Sequence, residues 1–355
     1  MDPNPTPKPK ICIYGAGAIG CHLAGHLART GKAVVSVVAQ PHSRTVSAIS
    51  QNGIRVITPR EDFTARVQAV GSSDSDIAAL GIQDYVIITL KIQQQTAAVL
   101  RTISQLVGPN TTILPPSTGI PYYFFHGFAG AHDDERLPEI DPDGVAWQVL
   151  PPSQVIPVVF WCGAHRLAPN VTQQDGSSAR YAVGELAGHS GDSKRLTALV
   201  ELMQAGGLDI TVTDNIRGEI WTKFANSLCG NPIAVLTLAD MSGFATEPAV
   251  VAVFAAMLRE VDAVGAALSV HVPQSVEDRL AFTLSTGHHQ FSMLQDLEAG
   301  HPLELDSFIR SWDAVKRLAG SGSGSGPSTP TCDVVLPLAE LRNRRYEEQL
   351  QQQQQ

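Results

Sequence analysis

Five short apolar runs punctuate the first 180 residues: Ile11–Tyr14, Val34–Ala39, Tyr85–Leu90, Thr112–Leu114 and Val155–Trp161. Runs of this length, alternating with helical patterns, predict strands of a parallel, doubly wound α/β sheet. Residues 129–146, with Asp133-Asp134-Glu135-Arg136 and Asp141-Pro142-Asp143-Gly144, read as an excursion from that sheet. A helix over 191–205 and a last strand at Asp209–Val212 follow. Beyond Asp214 the period changes. Apolar residues recur at helical spacing through Ile216–Leu236, Pro248–Leu268, Ser275–Ser285, Leu303–Leu318 and Cys332–Leu350. The expected organisation is an α/β domain over 10–213 and an all-α domain over 214–350. Residues 1–9 are Pro- and Lys-rich and read as disordered, 320–326 alternates Gly and Ser as a flexible loop, and 351–355 is a disordered glutamine tail.

The first apolar run leads straight into Gly15-Ala16-Gly17-Ala18-Ile19-Gly20, with a small-residue helix expected from Cys21 to Thr30. Gly15 suits a tight turn, Gly17 lets a pyrophosphate approach bare backbone, and Gly20 lets the helix pack on the strand. The helix N-terminus then offers free N–H groups to phosphates. Strand, glycines and helix in this order read as a Rossmann-type dinucleotide fingerprint; a glycine-rich turn of some other α/β protein is the competing reading. The end of the second strand adds to this. An NAD site carries an acid there for the ribose 2′-OH, yet no Asp or Glu stands between Lys32 and Arg44. NADP(H) is favoured, with Arg44 a candidate partner of the 2′-phosphate. A solvated loop charge describes Arg44 equally well.

Composition narrows the function classes. At 355 residues the chain can hold two domains. Its net charge of -9 disfavours nucleic acid as a partner, and an anionic cofactor then needs local positive charge. Cys12, Cys21, Cys162, Cys229 and Cys332 are odd in number and scattered, which fits a reducing compartment and neither a disulfide framework nor a zinc pattern. No histidine stands at a ligand spacing with a second donor, so no metal is expected. Lys8 and Lys10 before an apolar stretch look superficially like a secretory signal, but His22 and His26 interrupt it. No run reaches the ~18 apolar residues of a membrane span. A cytoplasmic protein with a small-molecule substrate and no membrane partner is expected, and a homodimer is left open.

Two further segments carry candidate chemistry. In Trp221–Pro232, residues four and eight apart share a helix face, so Lys223, Ser227 and Asn231 form one polar stripe. Flanked by Trp221, Phe224, Leu228 and Ile233, that stripe faces either a cleft or solvent. In Phe291–Asp306, Ser292 and Gln295 have capping-box spacing, and Glu304 stands in the first turn of the next helix, where acids complement the dipole. These structural readings stand beside a substrate-binding one.

These residues resemble the ketopantoate reductase (2-dehydropantoate 2-reductase) family, from Lys10 to about Leu341. The fingerprint at 15–20, Leu90-Lys91-Ile92-Gln93-Gln94, "IRGEIWTKF" at 216–224, "SMLQD" at 292–296, "LELD" at 303–306 and "GIPYYFF" at 119–125 carry the likeness. The resemblance implies NADPH as cofactor, bound by Gly15, Gly17, Ala18, Ile19, Gly20, Lys91, Gln94 and Thr118. It implies Lys223 as general acid and Glu304 as a substrate-side carboxylate. Asn226, Ser227, Asn231, Ser292 and Thr118 are the implied substrate contacts. The implied reaction is hydride transfer to a 2-oxo acid in an interdomain crevice, yielding pantoate for pantothenate and coenzyme A synthesis. A related 2-oxo acid, or an impaired NADP(H)-binding module, are the alternatives. Three departures bear on this. The first helix Asn of the family is Ser227 here, with Asn226 one place earlier; its loop Asn is Thr118; and Gln40 replaces an Arg at the strand end.

Overall fold

A computed structural model describes residues 7–188, 190–320 and 326–353; the expectations for the extreme N-terminus, the core of the Gly-Ser loop and the last two glutamines fall outside these. Strands β1 (Lys10–Tyr14), β2 (Val34–Ala39), β3 (Ile54–Ile57), β4 (Asp62–Ala65), β5 (Gln68–Gly71), β6 (Tyr85–Ile88) and β7 (Thr112–Leu114) come first. Then β8 (Val158–Ala168), β9 (Val171–Val183) and β10 (Ile210–Val212) follow. The expected parallel sheet is present, in the order β5-β2-β1-β6-β7. Ile11 pairs with Val35 on one side and Tyr85 on the other. Such central strands are covered on both faces, which is why they read as unbroken apolar runs. The run at Tyr85 stops two residues short of Leu90, at Ile88.

A second sheet, β10-β9-β3-β4 with β8 paired to β9, was not expected as such, although the expected last strand at Asp209–Val212 is its β10. The run Val155–Trp161 is not a strand of the first sheet. Val155 contributes one bridge to Ile113, and the strand proper starts at Val158 and runs antiparallel to β9. Its outer half, Gly163 to Ala168, includes exposed His165 and Arg166, so no apolar run marks it. An exposed hairpin held by long-range pairing leaves little local signal.

Helices α1 (Ala18–Arg29), α2 (Arg44–Asn52), α3 (Asp74–Leu80), α4 (Ala97–Ser104), α5 (Val145–Val149) and α6 (Lys194–Ala205) connect the strands. Helix α1 packs on β2 of the first sheet and on β3, β8 and β9 of the second. Leu23, Ala24 and Leu27 lie in the core with Ile11, Ile13, Val37, Ile54, Val56, Tyr181 and Val183. Because both sheets use it, α1 also buries His22 and His26, whose rings are 4.5 Å apart. His26 Nδ1 lies 2.8 Å from the Gly206 carbonyl. Burial, reinforced by His26, pulls the His22 pKa down from 6.5 to about 3.

This carries a stability consequence. Below pH 6.5 the unfolded imidazole takes a proton that folded His22 refuses until about pH 3. The contribution is therefore complete above 6.5 and lost as pH falls towards 3, at about 1.4 kcal/mol per pH unit. His22→Phe is expected to flatten the melting temperature between pH 6.5 and 4. Parallel curves for the two proteins would show that another group causes the acid sensitivity.

The rest is helical: α7 (Ile216–Thr237), α8 (Met241–Thr246), α9 (Pro248–Ala267), α10 (Val276–Leu284), α11 (Ser292–Glu298), α12 (Leu305–Gly320) and α13 (Cys332–Gln353). Helix α13 runs on through Gln353, so the first three residues of the tail are helical, contrary to the expected disorder. The chain divides into two compact units, residues 1–117, 125–135 and 143–216 in one, and 118–124, 136–142 and 217–355 in the other. Two short segments expected in the α/β domain thus belong with the helices. Contacts explain it: Ile120 N–H donates to Ser311 Oγ (3.0 Å), and Arg317 pairs with Glu139 (2.6 Å), both on α12. Among the described residues no helix is long and apolar enough to cross a membrane.

Candidate functional site

The glycine turn is shaped for a phosphate. Gly15 has φ +122°, a conformation L side chains rarely adopt, and its N–H donates to the Val38 carbonyl (3.0 Å). A Cβ on Gly20 would lie 1.9 Å from the Gly15 carbonyl oxygen, so α1 can seat on the turn only with glycine there. A Cβ on Gly17 would meet nothing within 4 Å. Gly17 is also the N-cap of α1 and offers no capping side chain, while Ala18 and Ile19 open the helix half-buried. Bare backbone, uncapped N–H groups and open space above Gly17 together fit a dinucleotide pyrophosphate.

Thr89, which the sequence reading passed over, locks this turn. Its hydroxyl donates to the Gly15 carbonyl at 2.7 Å. Thr89 directly follows β6, and Lys91 and Gln94 come next on a single 3-10 turn, Ile92–Gln94. Gln94 Oε1 accepts from the Lys91 N–H at 3.0 Å, so this amide braces the turn that presents Lys91. Across the sheet, Ser43 caps α2 by accepting from Val46 N–H (3.3 Å), and Arg44 stands exposed at the first helical position.

The remaining sequence-predicted residues lie in the helical unit. On α7, Lys223, Asn226 and Ser227 are half-buried, whereas Ile220, Trp221, Phe224, Ala225, Leu228 and Cys229 are buried. Of the expected stripe, Lys223 and Ser227 are half-buried, whereas Asn231 is buried. Asn226 Oδ1 is buried and, among the described residues, meets no hydrogen-bond donor. Phe224, next to Lys223, stacks on Phe308 with centroids 6.4 Å apart and planes 4° apart. That stack packs the Lys223 turn of α7 on the opening turn of α12. Glu304 immediately precedes α12, with its carbonyl accepting from Ser307 N–H (3.1 Å). It is the residue before the helix, not one of its first turn as the spacing suggested. Thr118 is half-buried beside Gly119, where a Cβ would lie 2.6 Å from Ser311 Oγ.

Asn231 and Ser292 exchange expected roles. Asn231 is 2% exposed; its Nδ2 donates to the Ser227 carbonyl (2.9 Å) and its Oδ1 accepts from Met293 N–H (3.0 Å). It thus pins the start of α11 to α7, which is a positioning role. The capping box expected from Ser292 and Gln295 does not form. The N-cap is Phe291 without a side-chain bond, because Asn231 supplies the acceptor from another helix. The Ser292 hydroxyl is exposed, and it enters no hydrogen bond among the described residues. Among these residues no group of three His, Cys, Asp or Glu side chains is placed to hold a metal.

Comparison with known proteins gives matches to both parts of the chain. The family model described as Ketopantoate reductase PanE/ApbA matches residues 11–122, and its C-terminal counterpart matches residues 215–340. A 2-dehydropantoate 2-reductase of Mesorhizobium japonicum is 36% identical over 329 residues, 93% of this chain and 96% of that protein. A solved structure from Ralstonia solanacearum MolK2 superposes with a TM-score of 0.84 at 32% identity, covering 96% of this chain and 99% of that one. D-mandelate dehydrogenase, solved with NADH and anilino(oxo)acetate, shares the fold at a TM-score of 0.74 and 20% identity, covering 95% and 99%.

Proposed function

Because this chain belongs to the ketopantoate reductase PanE/ApbA family, oxidoreductases that use a nicotinamide cofactor, we propose that it reduces 2-dehydropantoate to pantoate with NADPH. The reading extends to the supply of pantoate for pantothenate and coenzyme A. The observation that carries it is the packing of the Lys223 turn against the turn that Glu304 opens, through Phe224 and Phe308.

When bound, the reduced nicotinamide supplies a hydride equivalent to the 2-oxo carbon. The chain's own groups manage the charge and the proton. Lys223 donates a proton to the carbonyl oxygen as negative charge develops there, and regains one from solvent afterwards. Its ammonium also stabilises that oxygen before transfer. Glu304 holds a substrate hydroxyl or orients the lysine. Ser292 offers an exposed hydroxyl that enters no hydrogen bond among the described residues. Gly15, Gly17, Ala18, Ile19, Gly20, Arg44, Lys91 and Gln94 would hold the cofactor.

A second reading keeps this chemistry with a different 2-oxo acid. Thr118 and Ser227 favour it: each offers a single hydroxyl where an amide would offer a separate N–H donor and carbonyl acceptor. NADPH oxidation by the purified protein over a panel of 2-oxo acids decides between the two. Ketopantoate is expected to give the highest kcat/KM, by about tenfold or more over simpler keto acids, the worth of one good hydrogen bond. A higher value for another 2-oxo acid would replace the substrate. Tight NADPH binding with no turnover on any member would end the enzymatic reading and leave a nucleotide-binding module.

A further inference from the structure

The hairpin of the second sheet brings a cation to the glycine turn. Arg166, near the end of β8, donates from Nη1 to the Ala16 carbonyl (3.3 Å). From Nη2 it donates to Thr45 Oγ1 (2.9 Å) and to the Pro169 carbonyl (2.8 Å). Ala16 lies between the first two fingerprint glycines, and Thr45 is the second residue of α2, just beyond β2. In a dinucleotide fold the adenosine ribose sits between these same two landmarks. The hairpin is also tied to the helix start, since Thr172 on β9 donates to the Ala18 carbonyl at 3.0 Å. Arg166 is therefore held against the nucleotide loop by a two-stranded element, not by a tip free to swing.

Its partners are all neutral. Arg29, Arg55 and Arg195 in the same unit each pair with a carboxylate. Arg166 meets two carbonyls and a hydroxyl, and among the described residues it forms no ion pair. Those bonds use three of the five guanidinium N–H groups and leave Nε–H and one Nη1–H available. An uncompensated guanidinium in a chain of net charge -9 is a local attractor for an anion. Arg44, exposed beside Thr45, adds a second positive charge. At the strand end itself, Gln40 contributes none.

We propose that Arg166 is a specificity-determining residue that binds the ribose 2′-phosphate of NADPH, together with Arg44. It reaches that phosphate from a separate sheet, about 120 residues beyond the segment where such a group is ordinarily sought. The proposal rests on the NADPH reading above and names the residue that enforces it. NADH lacks this phosphate, so the guanidinium adds little to NADH binding.

The test is fluorescence titration of NADPH and NADH into the full-length protein and its Arg166→Gln and Arg166→Lys variants. Thermal shift with 2′,5′-ADP and with 5′-AMP runs in parallel. Arg166→Gln is expected to weaken NADPH about 10- to 100-fold, the range for losing a charged hydrogen bond, and NADH less than about threefold. Stabilisation by 2′,5′-ADP should fall towards that by 5′-AMP, and Arg166→Lys should recover part of the NADPH affinity. Equal weakening of both dinucleotides would overturn the proposal, because Arg166 would then only shape the turn at Ala16. Unchanged NADPH affinity would overturn it as well. Wild-type protein that binds NADH as tightly as NADPH would instead remove the NADPH reading itself, before any variant is compared.

Discussion

Lys223→Ala is expected to lower kcat for the keto acid by about 10²- to 10⁴-fold, the usual worth of a general acid, while the NADPH Kd moves less than about threefold. The asymmetry follows from where the interaction is made. Ammonium and carbonyl oxygen interact most strongly when that oxygen carries the charge left by hydride addition, so the loss falls on the transition state. Lys223 lies on the helical unit, whereas the glycine turn that fits a pyrophosphate lies on the other, so cofactor affinity has no reason to follow. Lys223→Arg separates the two roles of the amine. A guanidinium keeps the positive charge but surrenders no proton near neutral pH, so it should restore part of the rate and leave a shallower alkaline limb. Stopped-flow single turnovers and NADPH titrations on the same preparations supply both numbers. Equal losses in kcat and in NADPH affinity would make Lys223 a binding residue and remove the proposed chemistry.

The second large effect concerns stability. Arg279 on α10 is 1% exposed and pairs with Asp262 on α9. Burial pushes the Asp262 carboxyl up while the guanidinium pulls it down, and burial dominates. Among the described residues Arg279 Nε and Nη1 meet no hydrogen-bond partner, and Asp262 has the Trp221 indole beside it, so the pair is poorly satisfied. Arg279→Met leaves a mostly buried carboxylate without its partner and should cost about 3–5 kcal/mol. Removing both charges, in Asp262→Leu with Arg279→Met, should return most of that loss, because an apolar pair of similar bulk carries no desolvation penalty. Denaturant unfolding of the two single variants and the double completes the cycle. A single variant within 1 kcal/mol of the parent would show that the water reaching the partly exposed Asp262 side chain is enough to offset the lost pairing.

Much of the site was legible because its signals are local. The fingerprint needs a strand, three glycines and a helix in one short span, and each glycine acts on its immediate neighbours. The polar stripe of α7 is read from helical period; Lys223 and Ser227 are half-buried among buried neighbours as that period requires, but its third member, Asn231, is buried. Ser292 misled for the opposite reason. Its spacing to Gln295 is a good local cap, but Asn231, 62 residues earlier, reached the Met293 N–H instead. Even longer separations, 74 and 150 residues, hid Thr89 behind Gly15 and Arg166 behind Ala16. The hairpin carrying Arg166 was unreadable as well, since a strand with one exposed half has no apolar run to announce it.

Residue order alone determined the parallel sheet around Ile11–Tyr14, the turn at Gly15, the change to helical period after Asp214 and the family to which these belong. Those features depend on backbone preference and on spacing within a few residues. Tertiary structure alone decided that Asn231 is a strut, that Ser292 keeps its hydroxyl, that 118–124 and 136–142 join the helices, and that Arg166 meets the glycine turn. A hydrogen bond between groups far apart in sequence has no local signature: donor and acceptor become partners only when the topology of the whole chain sets them about 3 Å apart.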